Sequence, residues 1–174
     1  FEDTGTSTIN ANLFLAGNSV VEAGATLTGS ANLVNSAGFN LQLMNGVQLD
    51  VELVNEGTLQ VGNSPGTATV NASADFTSTS LYNVELGGSL FNQYDRLLVT
   101  ENIDLDGTLR VVGFGGYLPT IGEAFQLINA TTGISGVFSN IILYNTPGVG
   151  LCLLYDANSV ILVAALPGDQ GGFV

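Results

Sequence analysis

The chemistry open to this chain rests on carboxylates. Asp104 and Asp106 stand two residues apart in Asp104-Leu105-Asp106-Gly107, and Asp50 and Glu52 repeat the spacing. Residues two apart on a strand share a face, so each pair presents its acids together. Two carboxylates ~5–9 Å apart suit glycoside cleavage. Acids beside a glycine turn also suit calcium, which takes oxygen ligands. Asp104 and Asp106 are the candidate metal ligands, with calcium as the ion. The segment lacks the third acid and the distal Glu of an EF-hand loop, and solvated strand acids account for the same residues. A calcium titration of chelator-treated protein separates the two readings: heat and a raised Tm mark a ligand site, and neither appears with solvated acids.

Much of the catalytic repertoire is missing. The chain has no His and no Lys. That excludes His-dependent triads and metal sites, Schiff bases, a P-loop lysine and a Lys–Asn cross-link. With neither His nor Lys in the chain, the serines lack a base, Ser64 of Gly62-Asn63-Ser64-Pro65-Gly66 included. Arg96 and Arg110 are the only cationic side chains, and each is expected to pair with a neighbouring carboxylate. The expectation is a protein without enzymatic activity and without a cofactor, calcium aside.

Charge narrows the partners. Fifteen acids against two arginines give a net charge of −13. Phosphate binding needs clustered Lys and Arg, so nucleic acid is excluded as a partner. Anionic membrane surfaces are disfavoured for the same reason. No run approaches the ~20 apolar residues of a membrane span, so no membrane insertion is expected. Cys152 is the lone cysteine and sits in the apolar run Leu151–Leu154, where a buried core thiol is expected. Asn71-Ala72-Ser73 and Asn129-Ala130-Thr131 match the glycosylation pattern, as chance allows in so Asn-rich a chain. The start at Phe1 reads as a processed product or a fragment.

Short β-type runs between glycine breaks make up the chain. Hydrophobic residues are 45% of it and charged ones 10%, too apolar for disorder. Its 174 residues suit one domain. From Ile9 to about Val70 a repeat is visible. Ala11-Asn12-Leu13 returns as Ala31-Asn32-Leu33 and, more weakly, as Val51-Glu52-Leu53. Phe14, Val34 and Val54 follow in register, then Val21, Leu41 and Val61, then Leu27 and Val47. A fixed period near twenty marks a solenoid, and three short strands per period suit one coil of a β-helix. Asn12 and Asn32 are expected to stack at a turn. A meander of antiparallel hairpins is the alternative. Predicted core residues are Leu13, Leu33, Leu53, Val34, Val54, Leu97, Leu109, Val111, Phe125, Leu127 and Phe138.

Later segments read as follows. The cluster Gly62-Asn63-Ser64-Pro65-Gly66 is a turn and a seam. Thr67–Thr79 reads as an outer strand pair. Ile141–Tyr144 and Leu151–Tyr155 flank Asn145-Thr146-Pro147-Gly148 and read as a hairpin. Val160–Leu166 is a last strand. Of the T-x-T pairs Thr26/Thr28, Thr67/Thr69 and Thr77/Thr79, the first is followed one period on by Gly46 and Gln48, so the threonines build no extended ice-ordering rank. Tyr82, Tyr94, Tyr117, Tyr144 and Tyr155 are scattered and read as core-edge tyrosines.

The second half carries a family pattern. Tyr94–Val99 (YDRLLV), Asp104–Val111 (DLDGTLRV), Gly116–Ile128 (GYLPTIGEAFQLI) and Ile134–Phe138 (ISGVF) resemble the C-terminal part of autotransporter passenger domains and related bacterial β-helical surface proteins. Asp106 stands where the pattern G-G-T-L has its first Gly. The resemblance implies a right-handed parallel β-helix with a capping end, exported to a bacterial surface, and it implies no reaction.

The expected fold is therefore all-β: a right-handed parallel β-helix with coils of about 20 residues and a β-rich C-terminal cap. Residues 1–174 form one domain, with an N-terminal arm or edge strand at 1–8, regular coils at 9–80, C-terminal coils and cap at 81–166 and a tail at 167–174. Two functions compete. The favoured one is a self-assembling subunit of an extracellular fibre or layer, joined head to tail through its terminal arms, with Phe173 and Val174 docking. The other is an adhesin holding glycan or another cell on a coil face.

Overall fold

A computed structural model describes residues 1–63 and 65–168. Ser64 and the end of the expected tail, including Phe173 and Val174, lie outside the described residues. The protein is all-β, with no helix among the described residues. The described residues form 21 strands in three sheets, paired almost entirely in parallel.

The strands visit the sheets in rotation. The first triplet is β1 (Glu2–Asp3), β2 (Thr6–Ile9) and β3 (Leu13–Leu15). Next come β4 (Ser19–Val21), β5 (Thr26–Gly29) and β6 (Leu33–Asn35), then β7 (Asn40–Leu43), β8 (Gln48–Asp50) and β9 (Leu53–Asn55). The fourth triplet is β10 (Thr58–Val61), β11 (Thr67–Val70) and β12 (Ala74–Phe76). The fifth is β13 (Leu81–Leu86), β14 (Arg96–Val99) and β15 (Asn102–Leu105). The sixth is β16 (Thr108–Gly113), β17 (Ala124–Ala130) and β18 (Gly133–Gly136). Last are β19 (Asn140–Tyr144), β20 (Gly150–Tyr155) and β21 (Ser159–Ala165). Sheet A starts at β1 and ends at β19, sheet B starts at β2 and ends at β20, and sheet C runs from β3 to β18.

Alternation of side chains across each strand puts one face of every sheet inside. Leu13, Leu33, Leu53, Ala74, Ile103 and Ile134 stand in one column of sheet C. Leu41, Leu59, Tyr82, Leu109 and Ile141 stand in one column of sheet A. These columns meet in one core, where Tyr82 and Phe138 stack and Phe76 packs edge-on against both. Tyr82 and Tyr94 are fully buried, not at the core edge: Tyr82 stands in the sheet A column, and the Tyr94 ring packs on Phe125.

The register departs from the expected period in sheets A and B. Val21 faces Leu43 and Leu41 faces Ser19 and Leu59; Leu27 faces Leu49. Asn35 to Leu41 is two residues longer than Leu15 to Ser19 or Asn55 to Leu59, so the turn absorbs the slip and the inward face is kept. Leu13 and Val54 are half-buried. Leu13 opens its column, with no strand beyond it among the described residues, and Val54 lies in the outward column that begins at exposed Phe14 and passes through Val34.

Other expectations give way to the topology. Ile141–Tyr144 and Leu151–Tyr155 are not a hairpin: β19 pairs in parallel with β16, and β20 belongs to sheet B. The hairpin is β20–β21, which reverses near Asp156-Ala157-Asn158. β21 lies antiparallel on β17, so β20 runs in the same direction as β17. Thr67–Thr79 is not an outer pair, since β11 and β12 sit in different sheets and bury Ala68, Val70, Ala74 and Phe76. Cys152 is half-buried, because Leu151 and Leu153 on either side take the inward positions. Residues 1–8 hold β1 and most of β2, edge strands that pair with β4 and β5.

Asparagines mark the inside of one corner. Asn35 and Asn55 are fully buried, and Asn35 Nδ2 donates to Asn55 Oδ1 at 2.7 Å and to Thr58 O at 2.9 Å. Asn12 and Asn32 meet differently: Asn12 Oδ1 accepts from the Asn32 N–H at 3.1 Å.

Leu33 is fully buried, so Leu33→Ala is expected to cost about 2–5 kcal/mol in urea unfolding. Phe14→Ala, in the adjacent outward column, is expected to cost about 0.5 kcal/mol or less. Equal losses would contradict the inward and outward assignment.

Candidate functional site

The structure separates the two acids paired by sequence. Asp104 lies on the exposed face of sheet C between Asp75 and Ser135, and its Oδ1 accepts from Ser135 Oγ at 3.0 Å. Asp106 lies in the next turn, where its Oδ1 accepts from the Gly107 N–H at 2.6 Å. Gly107 has φ 76°, and a Cβ there would stand 2.4 Å from Ser80 O, so glycine is required. The acid beside Asp104 is Asp75, which sequence spacing did not flag because it is one strand away. Burial, then the charges of Asp104 and Glu56, push the Asp75 carboxyl up. Among the described residues no group of three or more His, Cys, Asp or Glu is placed to hold a metal ion. Of the second pair, Asp50 accepts from Asn71 Nδ2 at 2.6 Å.

The arginines pair with amides where carboxylates were expected. Arg96 donates through its terminal amino group to Gln126 Oε1 at 2.8 Å and lies over the Phe91 ring at 4.3 Å. Arg110 Nε donates to Asn83 Oδ1 at 2.8 Å. An amide keeps the guanidinium charge unneutralised, a distinction that sequence spacing does not show.

The feature that sets one region apart is loop length. Connections from sheet B to C and from C to A stay short throughout, as at 51–52, 71–73, 100–101, 106–107 and 137–139. From A to B they begin short, at 4–5 and 22–25, then grow to 62–66, 87–95 and 114–123, with 145–149 last. These loops expose Leu90, Phe91, Phe114, Leu118 and Ile121.

Buried ties hold this corner. Asp95 is fully buried. Its Oδ1 accepts from the Gly66 N–H at 2.8 Å and its Oδ2 from the Glu85 N–H at 2.9 Å. One side chain thus joins loop 62–66, β13 and loop 87–95. Tyr94 packs edge-on against Phe125 with centroids 5.3 Å apart, and Tyr117 packs on the same ring at 6.4 Å. Tyr117 donates to Glu123 Oε2 at 2.6 Å, which also accepts from the Thr120 N–H at 2.7 Å. Burial and then this bond to Glu123 push the Tyr117 hydroxyl up to about 12. The Tyr117 and Thr120 donors hold the Glu123 carboxyl below its usual range.

Beside the loops, at the end of sheet A, the surface is concave. Arg110, Val112, Tyr144 and Asn145 line an open hollow of about 160 Å³. Leu143, Asn145, Thr146 and Pro147 line one of about 410 Å³, so Asn145 belongs to both. Asn145 has φ 55° and is the non-glycine residue with positive φ among the described residues. Gly113 allows this arrangement: a Cβ there would lie 2.5 Å from Asn145 O and 2.9 Å from Tyr117 O. Tyr144 is 55% exposed, so its ring is offered to solvent. Glu85, Val112 and Tyr144 form one outward column.

No protein-family model matches the chain, and no curated protein matches it.

Asp95 makes stability depend on pH. Burial pushes its carboxyl from 3.8 up to about 7, offset in part by the Glu85 and Gly66 N–H donors and reinforced by the Glu85 charge. The folded state therefore holds this proton after the unfolded chain has released it. The contribution is complete below about pH 4 and is lost as pH rises through about 7, by roughly 4 kcal/mol in all. Denaturant unfolding from pH 4 to 8 is expected to show this fall, and Asp95→Asn to flatten it. An equal slope in the variant would contradict the assignment.

Proposed function

We propose that this chain is a right-handed parallel β-helix with a β-rich C-terminal cap, exported to a bacterial surface, and that it acts by binding and not by catalysis. The β-helix reading is supported by the pairing of every strand from β4 to β19 with the strand three places before it. Each triplet then climbs by one strand around a shared core. The surface location is carried by the resemblance of residues 94–138 to passenger domains.

One observation carries the binding reading: the insertions gather at a single corner, and their loops carry five exposed large apolar side chains. In stacked repeats, insertions map to loops on one face, often the binding face. Loops on a rigid frame present side chains at little cost to the fold. Exposed Leu90, Phe91, Leu118 and Ile121 make this corner the apolar patch to which a partner would bind. Glycan or a cell surface is the proposed class of partner.

Self-assembly is the second reading, favoured by the edges of β1, β2 and β3, which no strand covers among the described residues. Such edges template further pairing. The opposite end works against a continuous head-to-tail stack. Hairpin β20–β21 lengthens sheet B alone, to eight strands against seven in sheet A and six in sheet C. When the β1 of a next copy pairs with β19, β20 already fills the level that its β2 requires. Binding at the corner is therefore the better-supported function.

Labelled protein is expected to bind a glycan array or intact cultured cells and to sediment as a monomer at all concentrations. Leu90→Ser with Ile121→Ser is expected to weaken binding at least tenfold, about 1.4 kcal/mol, with Tm unchanged. A wild-type protein that binds neither surface, or that sediments as a growing polymer, would overturn the reading.

A further inference from the structure

We infer that the hollow lined by Arg110, Val112, Tyr144 and Asn145 is a subsite for a neutral sugar ring, with Tyr144 as its stacking platform. The inference rests on the corner being a binding surface and adds the class of ligand and the residues that select it. Ligand sites pair apolar walls with a few fixed polar groups. Here Val112 and Tyr144 supply the apolar surface, and Arg110 and Asn145 the polar groups. At about 160 Å³ the hollow is below the range of ~300–1,000 Å³ that holds drug-sized ligands, which suits one ring. The larger hollow shares Asn145, so a second ring has room beside the first.

Each group is held for the task. The Nε bond to Asn83 positions Arg110 and leaves its two terminal amino groups for ring hydroxyls. A guanidinium presents donors in a rigid fork. The positive φ of Asn145 places it at the hollow by a backbone conformation that costs energy outside glycine, and such conformations gather at ligand clamps. The exposed tyrosine offers an aromatic face to the C–H side of a sugar at small conformational cost, since it has two side-chain torsions.

Charge decides between neutral and acidic sugars. The chain carries −13, and Glu85 stands in the same outward column as Val112 and Tyr144. Arg110 is thus one positive group on an acidic chain, with Glu85 on the neighbouring strand opposite Val112, its Oε2 buried. A uronic acid or sulfated ring meets repulsion there, whereas hydroxyl groups accept from Arg110 and Asn145 without it.

Saturation-transfer NMR tests this with the intact chain, neutral hexose oligosaccharides and matched hexuronic acid oligosaccharides. The expected result is transfer from neutral sugars alone. Tyr144→Ala should abolish it, Tyr144→Phe should retain it, and Arg110→Gln should weaken affinity about tenfold or more. Neutral-sugar binding unchanged in Tyr144→Ala and Arg110→Gln would overturn this site. A preference for hexuronic acids would overturn the neutral class. No transfer from either set would overturn the inference altogether. Labelled protein applied to intact cells in the same series separates the failures: retained cell binding leaves the corner reading standing, and its loss removes both.

Discussion

Backbone hydrogen bonding to the strand three places earlier is the constraint on which the rest depends. From β4 to β19 every strand obeys it. Parallel strands sit ~4.8 Å apart, so each triplet advances by one strand width whatever its length in residues. Side chains at equal positions then fall into columns, and the inward columns of three sheets fill one core. Length is absorbed at the corners. Leu33 and Leu53 are neighbours across 20 residues, and Ile103 and Ile134 across 31, with the same strand pairing.

Chemical specialisation follows from that tolerance. Two corners keep tight turns, and at the one from sheet C to sheet A Gly107 and the buried Asn35–Asn55 pair are among the devices that close it. The corner from sheet A to sheet B takes the insertions. Its loops need internal support because they lie outside the ladders. Asp95 supplies part of it, accepting from two segments at once, and the rings of Tyr94, Tyr117 and Phe125 supply more. A buried carboxylate is a costly tie, which is why its proton is held to about 7. The gain is a row of loops that stand out from the core while their bases remain fixed.

Legibility in the sequence followed the same division. The column Leu13, Leu33, Leu53 was visible because the longer turn before Leu41 is offset by a shorter path from Leu49 to Leu53 than from Leu27 to Leu33, so the spacing in sheet C stays at 20 residues. The columns of sheet A were misread by two residues, because a longer turn before Leu41 leaves alternation intact while shifting the count. The Asn145–Gly148 cluster looked like a hairpin because parallel corners and antiparallel reversals use the same turn residues. The direction of the next strand is set by which edge is open. The site was less legible. Asp75 against Asp104, and Asp95 against Gly66, are neighbours created by stacking, at separations of 29 residues that no motif records. Tyr144 and Arg110 meet for the same reason: the pairing of β19 with β16 brings together residues in segments with unrelated patterns.

A distance along one outward column tests the strand pairing most directly. Gln42, Gln60, Asn83, Arg110 and Ile142 are successive partners across sheet A. Nitroxide labels at positions 42 and 142, in a Cys152→Ser background, report the span by double electron–electron resonance. Four parallel spacings place the two Cα atoms about 19 Å apart, in one narrow distribution. A principal distance beyond about 30 Å, just over six strand spacings, would contradict the register and with it the shared core and the corner built on it.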